Sequence, residues 1–294
     1  MATPVGVIGL GLMGKPMALN LRKKGFEVVV HSRSRGPVDA LVAAGATAVA
    51  TPADVAAAAR IIVTMLPDGP DVRAVIEGEH GIVSAMQPGT VIIDSSTIAP
   101  ATARDLAARV AERGGAFLDA PVSGGEIGAI DGTLAFMVGG DAAALAQVRH
   151  VIAAMGNPEK IVHVGVSGAG QVCKACNQIV LGGTMAVVAE AIALARKSGV
   201  DPMKVRAALM GGFAQSRVLD VHGERMITAN FVPGFKTKLF SKDLGIALDT
   251  LAEAGVPAPT SAVVQQLVQA QMAAGGADDD YSAIASVIFA LARL

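Results

Sequence analysis

The sequence predicts an α/β domain with a doubly wound, mostly parallel sheet, followed by an all-α C-terminal domain joined to it by a long helix. Three observations lead to this prediction. Short apolar runs alternate with helical segments through the first half of the chain, as in repeated βα units. Residues 168–196 form one strongly apolar segment with the length of a long helix. The remaining residues show only helix signals, so the predicted domains cover residues 1–164 and 165–294.

The elements of the first half are marked by short runs of Val and Ile and by glycines after the helices. Predicted strands lie at residues 5–8, 27–31, 61–66, 90–94, 116–119 and 134–138. Predicted helices include residues 15–24, 38–44, 71–76, 100–113 and 141–155, and a further helix starts at Thr51-Pro52. In the second half, helices are predicted at 168–196, 201–209, 216–227, 237–254 and 261–274.

Composition excludes several function classes. Of the 294 residues, 52% are hydrophobic and 17% are charged, and the formal net charge is −1. The chain therefore has enough apolar residues for two cores but no charge block that would bind nucleic acid. Cys173 and Cys176 are interpreted as small core or near-site residues, because a redox pair or a zinc site needs partners that are not visible nearby. The five histidines are scattered, so we expect no metal site.

The chain is expected to be a cytoplasmic protein with no membrane partner. No basic segment precedes the apolar stretch at the N-terminus. The most membrane-like segment, residues 175–189, contains Asn177, Gln178 and Thr184 and is shorter than the roughly 18 apolar residues of a span.

Gly9, Gly11 and Gly14 follow the first predicted strand in the spacing G-x-G-x-x-G, and a helix follows them. In a strand-turn-helix unit the first glycine makes the tight turn, the second lets backbone approach a pyrophosphate, and the third allows close packing of helix and strand. The helix N-terminus then offers unpaired N–H groups to phosphates. This context favours a dinucleotide site over an ordinary glycine-rich turn.

The end of the second strand bears on which nicotinamide cofactor is preferred. An NAD site usually carries an acidic residue there, which bonds the ribose hydroxyls. This chain instead reads His31-Ser32-Arg33-Ser34-Arg35. Arginine can fork two hydrogen bonds onto a phosphate, so the segment favours NADP, with NAD as the second candidate. The alternative is a solvated basic loop.

Two further segments could carry chemistry. The segment from Asp119 to Gly125 follows a strand and places Ser123 against two glycines, so it is either a carboxylate-binding turn or a plain turn. Lys174 lies in the first turns of an otherwise apolar helix, where the helix dipole and burial both oppose its charge. It is either a lysine that reaches out to water or a general acid, with Asn177 on the same helical face.

Five motifs together resemble the β-hydroxyacid dehydrogenase family, in the family's order and over essentially the whole chain. They are Gly9 to Met17, Asp94 to Thr97, Asp119 to Gly125, Gly168 to Lys174, and Lys242-Asp243. The resemblance implies a Rossmann domain, a long linking helix and an all-α C-terminal domain in a homodimer or homotetramer. Two departures are Gln178 in place of a second asparagine, and Ser32 where some relatives carry an aspartate.

The resemblance also implies roles for individual residues. Lys174 would be catalytic, and Lys242 would close the site. The substrate would be bound by Ser123, Gly124, Gly125 and Asn177. The cofactor would be bound by Gly9, Leu10, Gly11, Leu12, Met13, Gly14, Ser32, Arg33, Met65, Leu66, Pro67, Thr97 and Lys242.

The implied activity is reduction of a small semialdehyde acid by NADPH, with Lys174 as the general acid. The strings Asp119 to Asp141 and Gly211 to Asp220 point to tartronate semialdehyde, which would give glycerate. The alternatives are a 3-hydroxyisobutyrate-type dehydrogenase and a succinic-semialdehyde or glyoxylate reductase. An alternative of another class is a non-catalytic NADP-binding regulatory protein.

Overall fold

A nine-stranded sheet organises the first of the two units in the computed structural model, which describes residues 4–294. The first unit ends at Lys174, and the second comprises Ala175–Leu294. The strands are β1 (Val5–Ile8), β2 (Val28–His31), β3 (Thr47–Ala48), β4 (Ile61–Thr64), β5 (Val91–Asp94), β6 (Ala116–Asp119), β7 (Val122–Ser123), β8 (Leu134–Gly139) and β9 (Gly156–Gly165). The order across the sheet is β3-β2-β1-β4-β5-β6-β8-β7, and β9 pairs with β8.

The strands from β3 to β6 in this order are parallel. Helices cover both faces: α1 (Gly14–Lys23), α2 (Arg35–Ala43), α3 (Pro52–Ala58), α4 (Gly69–Glu77), α5 (Ile82–Ala85), α6 (Pro100–Ala111), α7 (Gly125–Asp131) and α8 (Ala142–Met155). Neighbouring strand residues point to opposite faces, so Val7 belongs to one apolar cluster and Ile8 to the other. The doubly wound, mostly parallel sheet predicted from the sequence is confirmed.

Three strands and two helices of this unit were absent from the prediction. The largest omission is β9, which is ten residues long and mostly exposed. Residues 157–160 are mostly polar, and the apolar residues that follow, Ile161, Val162 and Val164, are interrupted by His163. The pairing of β9 with β8 contains register shifts. The short strands β3 and β7 and the helices α5 and α7 also carry little local signal.

The second unit is helical, as predicted. Its helices after α9 (Ala169–Lys197) are α10 (Pro202–Leu209), α11 (Arg217–Thr228), α12 (Thr237–Glu253), α13 (Pro259–Ala273) and α14 (Ile284–Leu291). Short 3₁₀ turns lie at Gly276–Asp278 and Tyr281–Ala283. The core includes Met185, Phe240 and Leu244, all fully buried. Helix α14 was missed by the prediction.

Helix α9 contains the last residues of the first unit and the first residues of the second. Among residues 4–294 it is the one helix long and apolar enough to cross a membrane, with a mean hydropathy of 1.8 in its most apolar window. Half of that window is buried within the protein. Core helices of globular enzymes share these properties, so length and composition are weak evidence for a span.

Candidate active site

The glycine-rich turn after β1 is shaped by close approaches of backbone. Gly9 has a φ of +92°, and a Cβ there would lie 2.3 Å from the carbonyl oxygen of Met65. A Cβ on Gly14 would lie 1.9 Å from the carbonyl oxygen of Gly9. Gly11 instead faces open space, with nothing within 4 Å of a Cβ. The first and third glycines are therefore required by packing, and the second leaves room for a bound group.

The N-terminus of α1 is free of competing side chains. Its N-cap residue, Met13, makes no side-chain hydrogen bond to the helix, and the first turn has no acidic residue among the described residues. Leu10 is buried in the core, whereas Leu12 is exposed. The first N–H groups and the positive end of the helix dipole therefore suit a phosphate group, so this turn fits a dinucleotide.

Two exposed arginines lie beyond the end of β2. The Arg33 guanidinium forms an ion pair with Asp71 at 3.2 Å, and 79% of its side chain is exposed. Arg35, the first residue of α2, pairs with Asp39 at 2.9 Å and is equally exposed. Exposed pairs of this kind contribute little stability, so both guanidinium groups are available to an incoming anion.

The expected nicotinamide-side segments, which follow β4 and β5, are tied together through Ser96. The backbone N–H of Leu66 donates to Ser96 Oγ at 2.9 Å. Ser96 Oγ in turn donates to Asp94 Oδ1 at 2.6 Å, and Thr64 Oγ1 donates to the same oxygen at 2.7 Å. Burial raises the pKa of Asp94 from 3.8 to about 6, although the hydrogen bonds from Ser96 and Thr64 act in the opposite direction.

Lys174 is buried, with 8% of its surface exposed, and its ammonium donates to the carbonyl oxygen of Val122 at 2.9 Å. It does not reach out to water, so that alternative is wrong. Because Val122 precedes Ser123, the structure brings the lysine beside the segment that the sequence proposed for carboxylate binding. A buried ammonium beside a polar turn is an arrangement typical of a proton donor.

The two glycines after Ser123 have positive φ values, +136° at Gly124 and +62° at Gly125. Residues with side chains rarely adopt these angles, so the turn between β7 and α7 requires glycine at both positions. The absence of a side chain on Gly124 also matters for packing, because a Cβ there would lie 3.1 Å from Leu134 Cδ2.

Asp119 anchors the start of α9, a role the sequence reasoning missed. Its Oδ1 accepts from the N–H of Gly168 at 2.8 Å, and its Oδ2 accepts from the N–H of Gln171 at 3.0 Å. Burial raises the pKa of Asp119, and these backbone hydrogen bonds oppose that rise. A Cβ on Gly170 would lie 2.8 Å from Oδ2, so the carboxylate needs this glycine.

In the second unit, Asn177 and Lys242 lie at the two ends of a polar chain. Asn177 Nδ2 donates to Gln178 Oε1 at 2.8 Å. Gln178 Nε2 then donates to Asp243 Oδ2 at 2.7 Å, and Lys242 Nζ lies 2.9 Å from Asp243 Oδ1. The sequence alone leaves the role of Gln178 open and indicates no role for Asp243. A buried amide in an apolar helix was the signal that could have identified Gln178.

The second unit also contains a polar-lined cavity. Gln215, Ser216, Arg217, Met210 and Asp220 line an open cavity of about 410 Å³ in the second unit. Within residues 4–294, no three His, Cys, Asp or Glu side chains converge as metal ligands.

Two family profiles match the chain. The family described as "NAD binding domain of 6-phosphogluconate dehydrogenase" matches residues 4–165. The family described as "NAD-binding of NADP-dependent 3-hydroxyisobutyrate dehydrogenase" matches residues 168–288. Together they cover both units.

Individual relatives are similar over nearly their whole length. The chain is 45% identical to 2-hydroxy-3-oxopropionate reductase of Escherichia coli, over 98% of each chain. It is 36% identical to the mitochondrial 3-hydroxyisobutyrate dehydrogenase of Homo sapiens, over 96% of this chain and 85% of that one. Among solved structures, Mycobacterium tuberculosis 3-hydroxyisobutyrate dehydrogenase with L-serine has a TM-score of 0.89 at 36% identity, covering 98% of this chain and 99% of that chain.

Proposed function

Since the chain belongs to the β-hydroxyacid dehydrogenase family, we propose that it reduces a small semialdehyde acid, with tartronate semialdehyde as the substrate and glycerate as the product. Members of this family are NAD(P)-dependent oxidoreductases that act on small molecules, and this chain is one of them. The substrate proposal is supported by the 45% identity to the 2-hydroxy-3-oxopropionate reductase of Escherichia coli.

The observation that carries the proposal is the buried Lys174 ammonium beside the Val122–Gly125 segment. NADPH held at the turn from Gly9 to Gly14 would supply the hydride that reduces the aldehyde carbon. Lys174 stabilises the negative charge that develops on the aldehyde oxygen and donates a proton to it, which leaves a primary alcohol and a neutral amine. In the reverse direction the neutral amine accepts the hydroxyl proton.

We assign the substrate carboxylate to the segment of Ser123, Gly124 and Gly125, and a polar substrate contact to Asn177. The cofactor phosphates are assigned to the turn from Gly9 to Gly14, and the nicotinamide side to Met65, Leu66, Pro67 and Thr97. Lys242 is assigned to the cofactor. Support for these roles comes from the open space at Gly11 and from the network that joins Leu66 to Ser96.

We further propose that NADPH is preferred over NADH. The support is chemical, because the segment after β2 offers Ser32 and the exposed Arg33 to a phosphate and carries no acid that would bond a ribose diol.

The test compares Lys174→Ala with the wild-type protein. We expect turnover of tartronate semialdehyde to fall by about 10²–10⁴-fold, which is typical for loss of a general acid, while NADPH still binds. Binding is measured by NADPH fluorescence, since the chain has no tryptophan to interfere. Unchanged turnover in this variant would remove Lys174 from the mechanism.

The same assay, run over a panel of substrates, tests the substrate proposal. A site that hydrogen-bonds a substrate hydroxyl strongly rejects an analogue with a methyl group in its place. Faster turnover of 3-hydroxyisobutyrate, succinic semialdehyde or glyoxylate than of tartronate semialdehyde and glycerate would contradict it.

We also propose that the protein forms a homodimer or homotetramer. Val180, Val187 and Leu194 recur every seven residues along α9, and they are 68%, 56% and 69% exposed. An exposed apolar stripe with this spacing is typical of a helix that packs against another subunit. Light scattering should give a mass of two or four chains, and Val187→Glu should lower it. The domain limits at residues 164 and 165 and the cytoplasmic location stay predictions.

A further inference from the structure

Gln171 is a buried amide in α9 whose two ends are both bonded to one backbone segment. Its Oε1 accepts from the N–H of Ile98 at 3.1 Å, and its Nε2 donates to the carbonyl oxygen of Ser96 at 2.8 Å. Only 1% of the residue is exposed. The two bonded backbone groups flank Thr97, so a single amide holds the chain on both sides of that residue.

The requirement for an amide follows from the chemistry of these partners. The segment offers one donor and one acceptor, and an amide side chain supplies one of each. A carboxylate can only accept, and an aliphatic side chain leaves both backbone groups buried and unpaired.

Gln171 also has a fixed position relative to Lys174. Its own N–H bonds to Asp119, and Lys174 follows three residues later on the same side of the helix. Ser96, on the other side of the amide, accepts from the N–H of Leu66. The nicotinamide-side segments and the helix that carries the lysine are therefore joined within the first unit.

We infer that Gln171 is a positioning residue for the reaction: it fixes Thr97 and, through Ser96, Leu66 at a set distance from the Lys174 ammonium. Hydride and proton must reach adjacent atoms of the substrate, and a misplacement of about 1 Å can lower the rate by about 10²-fold. This inference rests on the roles proposed above for Lys174 and Thr97.

Two variants test it against a matched control. Gln171→Leu removes both hydrogen bonds, and we expect kcat to fall by about 10-fold to 10²-fold with less than about a threefold change in the KM for NADPH. Gln147→Glu, at an exposed position on α8, controls for an added carboxyl group and should leave kcat unchanged.

Gln171→Glu tests the positioning role through the pH dependence of kcat, which a purely structural role would not change. A protonated carboxyl group has one O–H donor and one C=O acceptor, so it can replace the amide, whereas the carboxylate repels the carbonyl of Ser96. The ratio of its kcat to that of wild type should therefore rise as the pH is lowered from about 8 to about 6. The charged groups facing this position are Asp119, Lys174 and Asp94 behind Ser96. Dividing by the wild-type kcat removes the pH dependence that these groups give to wild type.

Hydrogen exchange in the protein without cofactor separates this inference from the proposed function. The amide of Ile98 should be protected in wild type and lose protection in Gln171→Leu, whether or not a substrate is turned over. Absence of turnover in wild type would overturn the proposed function and leave the exchange result to decide whether Gln171 holds this segment. Unchanged kcat in Gln171→Leu, or a pH-independent ratio for Gln171→Glu, would overturn the inference.

Discussion

Replacement of Asp119 by asparagine tests how the start of the lysine-bearing helix is held. In the structure, both carboxylate oxygens accept backbone N–H groups, from Gly168 and from Gln171. Asparagine keeps one acceptor oxygen, but its amide nitrogen would face a second N–H. One buried N–H group is then left without a partner.

The expected cost follows from that single group. A buried donor that loses its acceptor destabilises a protein by about 1–3 kcal/mol, so Asp119→Asn should lower the free energy of unfolding by about 1–3 kcal/mol. Asp141→Asn is the matched control. Asp141 caps α8 with one carboxylate oxygen, which accepts a hydrogen bond from the N–H of Ala144 at 2.8 Å. Because asparagine is an equally good cap, the control should change stability by less than about 0.5 kcal/mol.

Urea unfolding followed by far-ultraviolet circular dichroism at neutral pH measures both variants. Turnover should fall in Asp119→Asn, since the helix that positions Lys174 loses one of its two anchors, and it should be unchanged in Asp141→Asn. If the two variants lie within about 0.5 kcal/mol of each other, the second hydrogen bond of Asp119 contributes nothing and the reasoning fails.

Three further predictions concern charge and polar pairing. The pKa of Asp94 is raised from 3.8 to about 6, so the folded state binds more protons than the unfolded state in this range. Wild type should therefore lose about 2 kcal/mol of stability between pH 4 and pH 6. Denaturant titrations of Asp94→Asn should show no such loss, and an equal fall in stability with pH in the two proteins would contradict this prediction. Arg33→Ala should raise the Kd for NADPH about tenfold or more and leave that for NADH nearly unchanged; equal rises in fluorescence titrations would refute the NADPH preference. Gln178→Leu removes the amide between Asn177 and Asp243. It should lower the free energy of unfolding by about 1–3 kcal/mol and raise the substrate KM. Wild-type values for both quantities would show that the polar chain contributes neither to stability nor to substrate binding.

The fold could be predicted largely from local signals. Strands β1, β2, β4 and β5 are short Val- and Ile-rich runs bounded by helices and turns, so apolar runs and turn signals were sufficient to predict them. Strand β9 escaped detection because most of its residues are exposed, and it exists through its pairing with β8. Its β-branched residues are confined to Ile161, Val162 and Val164, so the sequence signal is too short to define a ten-residue strand.

The candidate site was predictable where it depends on local backbone. Gly14 is required by its contact with Gly9 inside one strand-turn-helix unit, and Gly9 by the positive φ of its turn, so their spacing could be read directly. The carboxylate of Asp119, in contrast, holds residues 49 and 52 positions away. Contacts over such distances follow from strand order and helix packing, which the motifs alone do not specify.

The sequence of helix α9 nevertheless contains a periodic pattern of polar residues from which these partners could have been predicted. Gln171, Lys174 and Gln178 are spaced i, i+3 and i+7, the pattern that places residues on one face of a helix. In apolar residues this pattern indicates a core face, and all three of these polar residues are indeed buried. Burying a polar group is costly unless it is paired, so a line of three predicts three sets of partners. The structure provides them: the backbone beside Thr97 for the first amide, the carbonyl of Val122 for the lysine, and Asp243 for the second amide. A line of polar residues on an otherwise apolar helix therefore points not only to Lys174, the proposed general acid, but also to the two glutamines on the same face.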